Sequence, residues 1–111
     1  MSHYELIVIG SGPAGEKAAA KAAYFERKVA LVESKTVYGG AGLHTGTIPS
    51  KVLQQSTLLL PNHLKNSAPG LKTSLDYAVS LEELMYLKNR VIAHENHDIY
   101  HNLKCHGIDI Y

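Results

Sequence analysis

Three glycines at fixed spacing, Gly10, Gly12 and Gly15 in "GSGPAG", separate a β-branched run from an alanine-rich one. Tyr4 to Ile9, "YELIVI", reads as a buried parallel strand. Pro13 to about Phe25, "PAGEKAAAKAAYF", reads as a helix, because alanine is the best helix former and small enough to lie close to a sheet. Lys28 to Glu33, "KVALVE", reads as a second strand. A β-α-β unit with parallel strands and a right-handed crossover follows.

In that setting each glycine has a task. The first permits a tight turn, the second lets a pyrophosphate approach the backbone, and the third lets the helix pack on the strand. Gly10, Ser11, Gly12, Pro13, Ala14 and Gly15 are accordingly candidate cofactor contacts, with the anion on the N-terminus of the helix. Glu33 stands at the tip of the second strand, about 20 residues on, where a carboxylate can accept hydrogen bonds from both hydroxyls of an adenosine ribose. Its charge repels a 2′-phosphate, so FAD or NAD is expected rather than an NADP-type adenosine. A plain tight turn with a solvated strand end is the competing reading. It leaves the coincidence of strand, spacing, helix and acid unexplained.

Ser34 to Gly46 reads as loop. Thr47 can cap a helix from about Ile48 to Leu60, with Pro49 tolerated in its first turn and Pro61 ending it. Pro61 to Ser74 reads as an irregular surface connection. Leu81 to Leu103 is the longest helical pattern, with Leu81, Leu84, Val91, Ile92, Ile99 and Leu103 on one broad face. Gly107 stops it, and "IDIY" starts a third strand.

A chain of 111 residues suffices for one small domain. Its formal net charge of +1 supplies no basic field for a nucleic-acid backbone or an anionic membrane. Cys105 is the single cysteine, which excludes an intramolecular disulfide and a cysteine-rich zinc site and fits a reducing cytoplasm. No segment has the roughly 18 consecutive apolar residues of a membrane span, and the first residues carry no signal-peptide pattern. His94, His97 and His101, with Asp98, could line one helix face as metal ligands. No second ligand cluster exists to close such a site, so a solvated face and no metal are expected. Cys105 reads as a structural or incidental thiol.

The stretch "ESKTVYGGAGLHTGTIPSK" resembles the flavoprotein disulfide reductase family, whose members carry an acid, a spacer, a Gly-Gly pair and a cysteine-containing helix start ending in "IPSK". The resemblance covers Tyr4 to Leu60 and thins beyond. It implies an α/β fold, a Rossmann-like FAD-binding domain with a short and incomplete parallel sheet. It implies FAD, with Glu33 on the adenosine ribose and with Ser34, Lys35, Thr36, Val37, Tyr38, Gly39, Gly40, Ala41 and Gly42 wrapped around ribose and pyrophosphate. Thr47 and Lys51 would lie near the flavin, where a cation stabilises negative charge on the reduced ring. His44 could touch the cofactor or make a loop hydrogen bond, and is not expected to be a catalytic base.

Members that reduce disulfides hold two cysteines, five residues apart, where this chain has Gly42 and Thr47. Thiol exchange is therefore excluded at this place. The soluble pyridine nucleotide transhydrogenase branch also has threonine at the second position, and its "THWGTIPSK" is similar to "LHTGTIPSK" here. That likeness implies hydride transfer from NADPH through FAD to NAD, with NAD(P)H and NAD as substrates and a homodimer in the full-length relatives. Such relatives continue into nicotinamide-binding and dimerisation domains. A second G-x-G-x-x-G is absent here, so residues 1–111 are expected to be the N-terminal part of the FAD-binding domain, inactive alone. The alternatives are a non-catalytic FAD/ADP-binding module and a cysteine-less dihydrolipoamide dehydrogenase relative.

Overall fold

The computed structural model describes residues 3–65 and 81–111. Along the chain run β1 (Leu6–Ile9), α1 (Pro13–Tyr24), β2 (Val29–Val32), α2 (Gly40–His44), α3 (Thr47–Lys65), α4 (Leu81–Cys105) and β3 (Asp109–Ile110). The strands form one parallel sheet in the order β1-β2-β3, with Val8 beside Leu31 and Leu31 beside Ile110. The α/β expectation, with its short parallel sheet, holds.

The core lies on one face of that sheet. Alternation along the strands turns Leu6 and Val8 toward the helices, where they pack with Val29 and Leu31 against Ala19 of α1 and Leu103 of α4. Ala19, Leu31 and Leu103 are fully buried. Gly107, at φ +67°, reverses the chain after α4 so that Ile108 also enters the core. The other face of the sheet departs from the expectation of a fully buried strand: Ile7 is 58% and Ile9 87% exposed. Among the described residues, helices cover only the Leu6 and Val8 side. On the bare side the Tyr4 hydroxyl donates to Asp109 Oδ2 at 2.8 Å and lies 2.6 Å from the Tyr111 hydroxyl. Those contacts, Tyr111 foremost, hold the Tyr4 phenol well above its usual pKa.

Three helical expectations change. The stretch Ser34 to Gly46 is not all loop, because Gly40–His44 winds into the short helix α2. Helix α3 does not end at Pro61 but reaches Lys65. A proline removes one donor and crowds one carbonyl, a loss that a helix of 19 residues packed along α4 survives. The irregular connection expected over 61–74 is thus helical to residue 65 and otherwise lies outside the described residues. The apolar face of α4 is buried only toward its C-terminal end, around Leu103, while Leu81 is 74% exposed. No helix among the described residues is long and apolar enough to cross a membrane.

Candidate functional site

The glycine turn is built by close approach at one end and by open space at the other. Gly10 takes φ +94°, a left-handed conformation that favours glycine, and its N–H donates to the Val32 carbonyl at 2.8 Å. A Cβ at Gly15 would stand 2.1 Å from the Gly10 carbonyl oxygen, so α1 lies against the end of β1 as closely as backbone allows. A Cβ at Gly12 would meet no protein atom within 4 Å. Gly12 is also the N-cap of α1, without a side-chain cap, and the first helical bond runs from Glu16 N–H to the Gly12 carbonyl at 2.9 Å. Pro13 has no N–H, and the N–H groups of Ala14 and Gly15 have no acceptor within the helix. An uncapped helix start beside an open glycine is a cradle suited to an anion.

Glu33, half-buried just past β2, faces this turn. Its Oε2 accepts from Ser11 N–H at 2.8 Å and from the Ser11 hydroxyl at 2.5 Å. Its Oε1 accepts from Lys35 N–H at 3.2 Å and, more distantly, from the Ser34 hydroxyl at 3.4 Å. These donors, the Ser11 hydroxyl first, pull the Glu33 pKa down from an ordinary 4.5 to about 2. Ser11 itself is buried, and its carbonyl accepts from Gly39 N–H at 3.0 Å.

That last bond joins the two candidate segments. Ser34, Lys35, Thr36 and Val37 are exposed, Tyr38 is half-buried and Gly39 is buried at φ +93°. A Cβ at Gly40 would lie 3.1 Å from the Gly12 Cα, and one at Gly42 would lie 3.2 Å from Pro13 Cγ. Pro13, Gly39, Gly42 and Thr47 line a cavity of about 510 Å³ between α1, α2, the start of α3, and α4. Ala41 is exposed on α2. Thr47 is not the cap expected: it is the first residue of α3, its position is exposed, and its hydroxyl makes no hydrogen bond among the described residues. Lys51, one turn along α3, is exposed and forms no ion pair among the described residues. His44 makes the loop bond, donating from Nε2 to the Tyr38 carbonyl at 2.6 Å.

Residues of α4 complete the site, and sequence reasoning missed them. Asn96 Oδ1 accepts from Tyr38 N–H at 2.6 Å, and the Tyr38 and Tyr100 rings lie 5.4 Å apart. Glu95, Asp98, Ile99 and Asn102 line the cavity at helical spacing. Asn102 donates to Oε1 of the buried Glu16 at 3.0 Å, as does Lys17 Nζ. The i, i+3, i+7 spacing of these polar residues was the available signal, but nothing local tied it to residues about 60 to 90 positions earlier. His94 pairs with Asp98 at 3.1 Å, and Cys105 Sγ lies 3.5 Å from His101 Nδ1.

A family model described as pyridine nucleotide-disulphide oxidoreductase matches residues 4–109. A dihydrolipoyl dehydrogenase of Acholeplasma laidlawii is 36% identical over 108 residues, covering 97% of this chain and 32% of that protein. A soluble pyridine nucleotide transhydrogenase of Marinobacter nauticus is 54% identical over 54 residues, 49% of this chain and 12% of that one. Among solved structures, the Cu(II) complex of the flavoprotein disulfide reductase RclA from Escherichia coli matches with a TM-score of 0.76 at 26% identity. That match covers 99% of this chain and 21% of the other. The chain spans less than a third of the length of these relatives.

Proposed function

The chain belongs to the pyridine nucleotide-disulphide oxidoreductase family, whose cofactor is FAD, and from that premise we propose that it is the FAD-binding part of a transhydrogenase-type oxidoreductase passing hydride from NADPH to NAD⁺. The observation that carries this reading is the pair Gly42 and Thr47 on the wall of the cavity beside Pro13. Neither can form a thiolate, and the single cysteine of the chain, Cys105, is exposed at the C-terminal end of α4 and is not among the residues lining that cavity. Disulfide exchange needs a thiol, whereas hydride exchange does not. The 54% identity to a transhydrogenase over half the chain supports the same choice.

FAD, when bound, supplies the electron-carrying ring. The chain's own residues bind and orient. The open space at Gly12 and the uncapped start of α1 fit a pyrophosphate. Glu33 fits the adenosine ribose, and its ionised carboxylate disfavours a 2′-phosphate. Lys51, one helical turn beyond Thr47 and without an ion pair among the described residues, is the cation that would stabilise negative charge on a reduced flavin ring. A second reading, a non-catalytic FAD/ADP-binding module, draws on the single glycine fingerprint in the 111 residues, which leaves NADPH and NAD⁺ no evident second site.

The test is to purify the chain, add FAD, remove the excess, and record visible flavin absorbance alongside NADPH-to-NAD⁺ exchange. Retained flavin without exchange is expected. Robust exchange would overturn the view that these residues are inactive alone, and a colourless chain that binds ADP but not FAD would favour the module.

A further inference from the structure

We propose that Ser11 is a positioning residue for Glu33: its backbone N–H and hydroxyl both hold Oε2, so the adenosine ribose is met through Oε1. The inference rests on the reading above, that Glu33 receives the ribose, and it departs from the expectation that Ser11 itself touches the cofactor. Every polar group of Ser11 is already engaged by protein. Its N–H and hydroxyl donate to Glu33 Oε2 at 2.8 and 2.5 Å, and its carbonyl accepts from Gly39 N–H at 3.0 Å. At 1% exposure it has no surface to offer a ligand.

The two oxygens of Glu33 are thereby made unequal. Oε2 has two short bonds, which is about the capacity of one carboxylate oxygen. Oε1 has the longer contacts, at 3.2 and 3.4 Å, to the exposed residues Lys35 and Ser34. A ribose hydroxyl can replace such a weak contact more readily than either bond to Ser11. Lys35 meets the carboxylate through its backbone alone, and no charged side chain pairs with it among the described residues. The glycine fingerprint fixes the glycines for backbone reasons but leaves the residue between the first two open. In this chain a hydroxyl there converts a flexible acid at a strand tip into a fixed one.

The experiment compares ADP with 2′-deoxy-ADP by calorimetry on the full chain and on S11A, S11T and E33Q. Wild type is expected to prefer ADP about tenfold, the order of one hydrogen bond to a charged group. In S11A that preference should collapse toward one, as in E33Q, and S11T should restore it. An equal loss for both ligands in S11A would mean a merely structural role and would overturn the proposal. In parallel, the Glu33 carboxyl carbon is followed by NMR against pH without nucleotide. Wild type should stay ionised to about pH 3 or below, and S11A should titrate nearer the ordinary carboxylate range. A wild-type midpoint in that ordinary range overturns the proposal whether or not S11A folds. If wild type binds neither nucleotide, the cofactor reading fails, while the titration still decides whether Ser11 governs Glu33.

Discussion

Gly12 and Gly15 lie in the same hexapeptide yet answer to different constraints, and substitution separates them. Gly15→Ala drives a methyl to 2.1 Å from the Gly10 carbonyl and should cost about 3 kcal/mol of stability or prevent folding, as overpacking at backbone does. Gly12→Ala meets no protein atom within 4 Å and has φ −63°, so chemical denaturation should show a loss of no more than about 1 kcal/mol, the cost of alanine in place of glycine at an N-cap. The same methyl fills the space assigned to the pyrophosphate, so flavin retention should be lost. Retained flavin in Gly12→Ala would count against that assignment. Glu33 adds a pH signature. Folding lowers its pKa from 4.5 to about 2, so the stabilisation it gives is present in full above pH 4.5 and is lost as pH falls toward 2. Urea midpoints should therefore fall more steeply with acid in wild type than in Glu33→Gln over that window.

At the scale of elements, α4 does more than cover the sheet. Asn96→Ala removes the acceptor of Tyr38 N–H and should cost about 1–2 kcal/mol, with faster hydrogen exchange at Tyr38 and Gly39 as the local readout. Leu103→Ala, at a fully buried position, should cost about 3 kcal/mol in the same denaturation assay. These couplings explain what the sequence could and could not reveal. β1, α1 and β2 were legible because strand, glycine turn and alanine helix each announce themselves within a dozen residues. The glycines and Glu33 were legible for the same reason. α2 was not: five glycine-rich residues have little helical propensity, and their turn is held by packing against α3 and α4. Periodicity marked α4 as a helix but could not tell which part of its apolar face finds a partner. The bond from Ser11 to Glu33 was not legible, because it spans 22 positions and exists only in the fold.

For the molecule as a whole, the unusual feature is a parallel sheet that the described residues clothe on one side. Parallel sheets are ordinarily covered on both faces, whereas Ile7 and Ile9 here stand 58% and 87% exposed. The isolated chain should bind a hydrophobic dye such as ANS, and the double change Ile7→Ser and Ile9→Ser should reduce that fluorescence. Unchanged fluorescence would place the dye elsewhere, the exposed Leu81 and Tyr86 of α4 being one candidate. The bond from Asn96 to Tyr38 has a consequence in time. A ribosome delivers the glycine turn and Glu33 early, but the helix that fixes the loop between them and the cavity emerges almost 60 residues later. A nascent chain thus carries a phosphate cradle before it has the walls to keep a cofactor there, and loading must wait until the end of α4 has docked.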